Sequence, residues 1–168
     1  MRFGAAPPND APHNYMSVNR HCRVLALSSG GGHWVQLLRL RRAFAGADAT
    51  YVTVDRAYAA DVPGERFRVI CDATRWNRLK LLQMALQIAW ILIRERPDVI
   101  VSTGAAPGYF ALRLGKWIGA RTVWIDSIAN VERLSMSGQR VRPYADLWLT
   151  QWPHLVRPEG PHFLGGVL

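Results

Sequence analysis

The chain has 168 residues, enough for one domain with a sizeable core, and 49% of them are apolar against 20% charged, which excludes a disordered chain. Lys and Arg number 21 against 12 Asp and Glu, a formal charge of +9. All the cations but Lys80 and Lys116 are arginines, the side chain suited to bidentate contact with phosphate or carboxylate, so anionic partners are favoured. Cys22 and Cys71 make neither a CxxC pair nor a zinc spacing; this excludes a disulfide scaffold, offers no metal site and makes a reducing cytosol the simplest compartment.

Residues 1–20 contain Pro, Asn and Gly without an apolar core and read as a loose leader rather than a secretory signal, leaving 21–168 as a single domain. RVLALS (23–28) reads as a buried strand, SSGGGH (28–33) as a glycine turn, and 34–45 as a helix. Further strands are expected at 50–54, 67–71, 98–103, 121–126 and 146–151, with helices at 76–96, stopping before Pro97, and at 109–118. Strands alternating with helices of this length imply right-handed βαβ units. The expected fold is α/β, a doubly wound, mostly parallel, Rossmann-like sheet.

Ligands of such sheets sit beyond the carboxyl ends of the strands, which singles out three loops. The first holds Ser29, Gly30, Gly31, Gly32 and His33. Its glycines either bring backbone N–H groups against an anion at a helix start or make a tight turn that binds nothing, and His33 is either a base or phosphate contact, imidazole titrating near neutrality, or a cap of that helix. It is neither GxGxxG nor a Walker A loop. The second runs from Thr103 and Gly104 to Gly108 and either rests a diphosphate or sugar on its amides or is a plain turn with Pro107 near the helix start. The third, DSIANVERLSMSG, holds Asp126, Ser127 and Asn130; Asp126 reads as a base or hydroxyl ligand in a cleft, or as a helix cap. Glu132 and Arg133 read as a surface pair.

The apolar stretch 81–93 is thirteen residues broken by two glutamines, too short to cross a bilayer, which takes roughly 20 residues. Arg75, Arg78 and Lys80 precede it, and Leu82, Leu86, Trp90 and Ile93 lie within it. Its polar positions Lys80, Gln83, Gln87 and Arg94 fall on one narrow stripe. A helix of this kind suits an anionic lipid surface, a core helix suits it equally, and one face can do each job. Cys22 and Cys71 read as small core residues.

The strings SSGGGHWVQLL (28–38), STGAAPGYF (102–110), WIDSIANVERLSMSG (124–138) and ADLWLTQWPHL (145–155) together resemble one family. It is the acceptor-side subunit of the split UDP-N-acetylglucosamine transferase that elongates the dolichol-linked precursor, with its bacterial exopolysaccharide homologues. The resemblance implies the N-terminal half of a GT-B glycosyltransferase, similar to the enzyme that makes lipid II. It implies transfer of a sugar from a UDP-sugar to a lipid-diphosphate-linked saccharide, as a heterodimer with a small donor-binding partner that holds most of the UDP-sugar; no other cofactor is implied. By the same resemblance Gly31, Gly32, His33 and Gly104 face the lipid diphosphate, and Asp126 takes the acidic position of the third loop. Two departures stand out. The eukaryotic transmembrane anchor is missing, which points to peripheral attachment on the inner face of the cell membrane, and the third loop begins Asp-Ser where the eukaryotic pattern has Glu-Ser. Trp148, Trp152 and Phe163 suit either a partner interface or the core.

A non-enzymatic, nucleotide-binding regulatory domain is the alternative, with Asp55 after the second strand as its ribose-binding acid. No basic stripe with interleaved aromatics is present, so a nucleic-acid partner is not expected.

Overall fold

The computed structural model describes residues 21–74 and 76–167; the leader and Arg75 lie outside the described residues. Among the described residues seven parallel strands form one sheet: β1 (Arg23–Leu27), β2 (Asp48–Thr53), β3 (Arg66–Val69), β4 (Val99–Ser102), β5 (Arg121–Ile125), β6 (Leu147–Thr150) and β7 (His162–Phe163). Their spatial order is β3-β2-β1-β4-β5-β6-β7, and every neighbouring pair is parallel. The α/β, doubly wound, Rossmann-like reading is what the chain adopts.

The helices that cover this sheet are α1 (Gly32–Arg39), α2 (Arg78–Glu95), α3 (Ala105–Trp117) and α4 (Met136–Val141). Alternation along β1 divides the core. Leu25 and Leu27 pack with Met84, Ile88 and Ile91 of α2, Leu112 of α3 and Val141 of α4, while Val24 and Ala26 pack with Trp34 and Leu37 of α1 and with Phe44 and Tyr51. Strands buried on both faces need side chains that are apolar in both directions, which is why they read as unbroken apolar runs.

The close seat of α3 depends on missing side chains. A Cβ at Gly108 would stand 2.0 Å from the Ser102 hydroxyl and 2.9 Å from the Trp124 ring. The helix therefore lies against β4 and β5 at a distance that alanine does not permit.

Several elements differ from expectation. α3 begins at Ala105, four residues early, because Pro107 is accommodated in a first turn whose N–H groups need no intrahelical partner. α4 and the two-residue β7 were not expected; both are too short for a periodic signal, and α4 is carried by Ser135, whose hydroxyl accepts from the Gly138 N–H at 2.8 Å. In the polar stripe of α2, Lys80, Gln83 and Arg94 are exposed, whereas Gln87 is half-buried, its Oε1 accepting from the Cys71 N–H at 2.8 Å. Cys22 is exposed and Cys71 half-buried, so only the latter is near the core. Trp148 is a core residue, and Trp152 is tied inward by its indole N–H to the Ile128 carbonyl at 2.8 Å; of the three candidate anchors only Phe163 is exposed.

Asp146 ties β5 to the turn before β6. Its carboxylate pairs with Lys116 and accepts from the Thr122 N–H at 2.9 Å and hydroxyl at 3.0 Å. The Lys116 hydrogen bond, followed by the Thr122 donors, holds its pKa below the ordinary aspartate value. A depressed folded pKa contributes stability above the unfolded pKa and loses it as pH falls through the folded one. Urea denaturation should therefore show Asp146→Asn less stable than the parent at neutral pH. The difference should shrink on acidification below the usual aspartate range.

Candidate functional site at the strand-order switch

The strand order reverses between β1 and β4, where the connections leave in opposite directions and open a crevice at the carboxyl ends. The first and second loops meet there. His33, in the first turn of α1, places Nδ1 3.0 Å from the Thr103 carbonyl, and the Thr103 hydroxyl donates back to the His33 carbonyl at 2.7 Å. A carbonyl only accepts, so Nδ1 carries the proton and the neutral ring keeps its lone pair on Nε2. His33 is half-buried, and Nε2 has no hydrogen-bond partner among the described residues.

No side chain caps the first-turn N–H groups of either helix in the crevice, while the Gly104 N–H itself donates to the Ser102 hydroxyl at 3.2 Å. The residues preceding α1 and α3 are Gly31 and Gly104, and no side-chain cap is made at either. The expected capping role of His33 is thus replaced by a bridge between the two loops. Two uncapped helix starts side by side concentrate unpaired N–H donors and the positive ends of two dipoles, a setting that favours an anion. The Gly31 N–H, at 2.9 Å, donates to the Tyr58 hydroxyl, and the Tyr58 ring stacks on Trp34 with centroids 5.3 Å apart. Tyr58 carries no sequence signal for this role, since it lies in the 3-10 segment Arg56–Asp61 between β2 and β3.

Gly104 has no substitute. Its φ is +140°, and a Cβ there would stand 2.6 Å from Nδ1 and Cε1 of His33. The adjoining Ala105, at φ 64°, carries the strain of the turn.

The third loop is organised around Asp126, which the structure places differently from a cleft-facing base. Only 1% of the residue is exposed. Oδ1 accepts from the Ser127 N–H at 3.0 Å and Asn130 Nδ2 at 3.1 Å, and Oδ2 accepts from the Ser135 N–H at 2.8 Å. Both oxygens are committed to shaping residues 126–135, and no helix begins at Asp126. Ser127 and Asn130 serve the same network, the Ser127 hydroxyl accepting from the Ala129 N–H at 3.3 Å. Glu132 and Arg133 are exposed and make no ion pair with each other among the described residues.

Two buried glutamines join this loop to the rest. Gln36, one turn beyond His33, donates to the Asp126 carbonyl at 3.2 Å and accepts from the Ile128 N–H at 3.2 Å. Gln151, at the end of β6, donates to the same carbonyl at 2.9 Å and accepts from the Val167 N–H at 2.9 Å. Neither is singled out by reading the sequence; the signal each offers is a lone amide, one on an apolar helix face and one closing an apolar strand. Asp55 accepts from the Ala57 N–H at 2.9 Å and caps the 3-10 segment after β2.

The membrane candidates lie outside the crevice, on α2. Leu82, Leu86, Trp90 and Ile93 are all exposed, as is Leu79 at 80%. Leu79, Leu82, Leu86 and Trp90 line a groove of about 590 Å³ that Arg68 also borders. Arg78 and Lys80 are exposed at the start of the helix, and Arg94 lies 5.4 Å from the Trp90 ring. The inward residues Met84, Ile88, Ile91 and Leu92 are buried, so opposite faces of α2 are both apolar. No helix among the described residues is long and apolar enough to cross a membrane.

The family described as "Oligosaccharide biosynthesis protein Alg14 like" matches residues 62–165, which include the second and third loops and α2. The chain belongs to the Alg14-like family. Relatives include the UDP-N-acetylglucosamine transferase subunit ALG14 of Yarrowia lipolytica, 38% identical over 68 residues, 37% of this chain and 32% of that protein. The subunit of the same name from Eremothecium gossypii is 29% identical over 166 residues, 80% of this chain and 74% of that one. The match spans only about a third of the Yarrowia and Schizosaccharomyces pombe relatives. Among solved structures, Acinetobacter baumannii MurG superposes with a TM-score of 0.69 at 10% identity, over 86% of this chain and 45% of MurG. UDP-GlcNAc 2-epimerase of Methanocaldococcus jannaschii gives 0.61 at 12% identity, over 76% and 39%. At such identities these likenesses show the fold, one Rossmann-like unit of larger proteins.

Replacing Gly104 by Ala should drive His33 off the Thr103 carbonyl. Chemical denaturation should show a loss of roughly 1–3 kcal/mol from the clash and the positive φ, and the His33 imidazole resonances should shift. An unchanged His33 spectrum would contradict the close approach.

Proposed function

We propose that this chain is the acceptor-side subunit of a split, UDP-sugar-dependent glycosyltransferase that extends a lipid-diphosphate-linked saccharide. The observation that carries this reading is the pair of uncapped helix starts clasped by His33 and Thr103 at the strand-order switch. Backbone N–H groups of Ser29, Gly30, Gly32 and the first turn of α3, beyond Gly104, receive the acceptor diphosphate. His33 Nε2 takes the proton of the acceptor hydroxyl as that oxygen bonds to the anomeric carbon of the donor sugar. The bond from that carbon to UDP breaks, and UDP leaves with its electron pair. Asp126, buried behind the loop, is a positioning residue that fixes Ser127 and Asn130 through its carboxylate.

A transfer of this kind holds acceptor and donor in line between two walls, and this domain supplies one. A small donor-binding subunit supplies the other in a heterodimer and recruits most of the UDP-sugar. The names of the relatives, each a transferase subunit, support this division. The outer stripe of α2, with Arg78 and Lys80 at its entry, rests on an anionic membrane surface, placing the chain as a peripheral protein on the inner face of the cell membrane. Bacterial exopolysaccharide assembly is the setting we favour.

In the reconstituted pair with a lipid-linked acceptor, His33→Ala should lower kcat on the order of 10²-fold or more, and the isolated chain should show no transfer. Full turnover in the variant, or robust transfer by the chain alone, would overturn the reading. Flotation with anionic liposomes at low salt should carry the parent chain. Leu82→Ser, Leu86→Ser and Ile93→Ser together should abolish flotation while circular dichroism stays unchanged; retention by the triple variant would refute the α2 contact.

A further inference from the structure

Between the third loop, the end of α4 and the segment after β6 lies a cavity of about 530 Å³, within the range of ~300–1,000 Å³ usual for small-molecule sites. Arg133, Arg142 and Arg157 stand around it. Arg142 pairs with Glu159 at the rim, whereas the guanidinium groups of Arg133 and Arg157 have no carboxylate partner among the described residues. The floor is apolar, made by Leu134, Trp148 and Leu155. Trp148 is only 9% exposed, and its indole N–H finds no acceptor among the described residues.

The walls are held by hydrogen bonds from side chains and backbone to backbone carbonyls. Gln139 Nε2 donates to the Leu134 carbonyl at 2.9 Å, leaving its Oε1 as an acceptor. His154 reaches the Val131 carbonyl at its ring nitrogen, joining the third loop to the segment that bears Arg157. The Gly160 N–H donates to the Arg157 carbonyl at 2.9 Å and closes that segment into a turn.

The donor set specifies a chemistry. Two unpaired guanidinium forks suit one carboxylate or phosphate group. Glu132 and Gln139 Oε1 accept from hydroxyls and disfavour a second anionic charge. An apolar floor suits the C–H face of a pyranose ring. We propose that this cavity binds a saccharide unit carrying a single anionic group, a carboxylate or a phosphate. The proposal stands on these residues alone and does not require the transfer assigned to the crevice.

The test titrates the full chain with glucuronate, glucose 1-phosphate, glucose and inorganic phosphate, following the Trp148 indole ¹H–¹⁵N resonance. Saturable shifts with either anionic sugar are expected, weakened at least tenfold by Arg133→Gln or by Arg157→Gln. A response to glucuronate alone identifies the anion as a carboxylate and a response to glucose 1-phosphate alone as a phosphate; either supports the proposal. Overturning results are no shift with either sugar, equal shifts with glucose, equal binding of inorganic phosphate, or indifference to both arginine substitutions. The His33→Ala chain should bind as the parent does, so failure of the crevice assignment and failure of this one are separately visible.

Discussion

Two reciprocal hydrogen bonds between His33 and Thr103 join the loops that leave β1 and β4, the paired strands at which the strand order reverses. β1 and β4 are adjacent in space, yet their following helices depart to opposite faces. The gap between those helix starts is what the clasp spans. Because the bond uses Nδ1 and a backbone carbonyl, it fixes the tautomer and leaves Nε2 without a hydrogen-bond partner among the described residues. Gly104 is the condition for it, since no side chain fits between that backbone and the imidazole.

Asp126 has the matching role at the end of β5. A buried carboxylate without partners is costly, and here three donors from its own loop satisfy it. Its carbonyl meanwhile receives the amide groups of Gln36 and Gln151. A single residue thereby links α1, the third loop and the end of β6. Through Gln151 the link reaches Val167, whose carbonyl accepts from Arg39 of α1 at 2.9 Å. The carboxyl edge of the sheet is therefore one connected hydrogen-bonded unit rather than three independent loops.

The outer surface follows a different logic. α2 is apolar on both sides because it serves two neighbours, the sheet within and a lipid surface without, and the second is a proposal resting on its exposed stripe. The arginine excess is likewise divided. Arg68 is held by the nearly buried Glu95 at 2.8 Å, Arg23 by Asp98 at 3.0 Å, and others gather around the cavity beside Trp148.

Sequence by itself determined the parallel sheet, the three loops and the double apolar character of 81–93. Each of these is written in local periodicity or in glycines at strand ends, and both act within a few residues of the chain. It left α4 and β7 unread, since six and two residues carry no period. The roles of His33, Asp126, Gln36 and Trp148 were decided only by tertiary structure. His33 reads alike as a helix cap and as a base, and only Thr103, 70 positions away in sequence, shows its ring bridging two loops rather than capping a helix. Asp126 reads as a reactive carboxylate until its loop folds back and occupies both oxygens. A polar side chain's function depends on which partners reach it, and here the partners come from distant segments that only the packed sheet brings together.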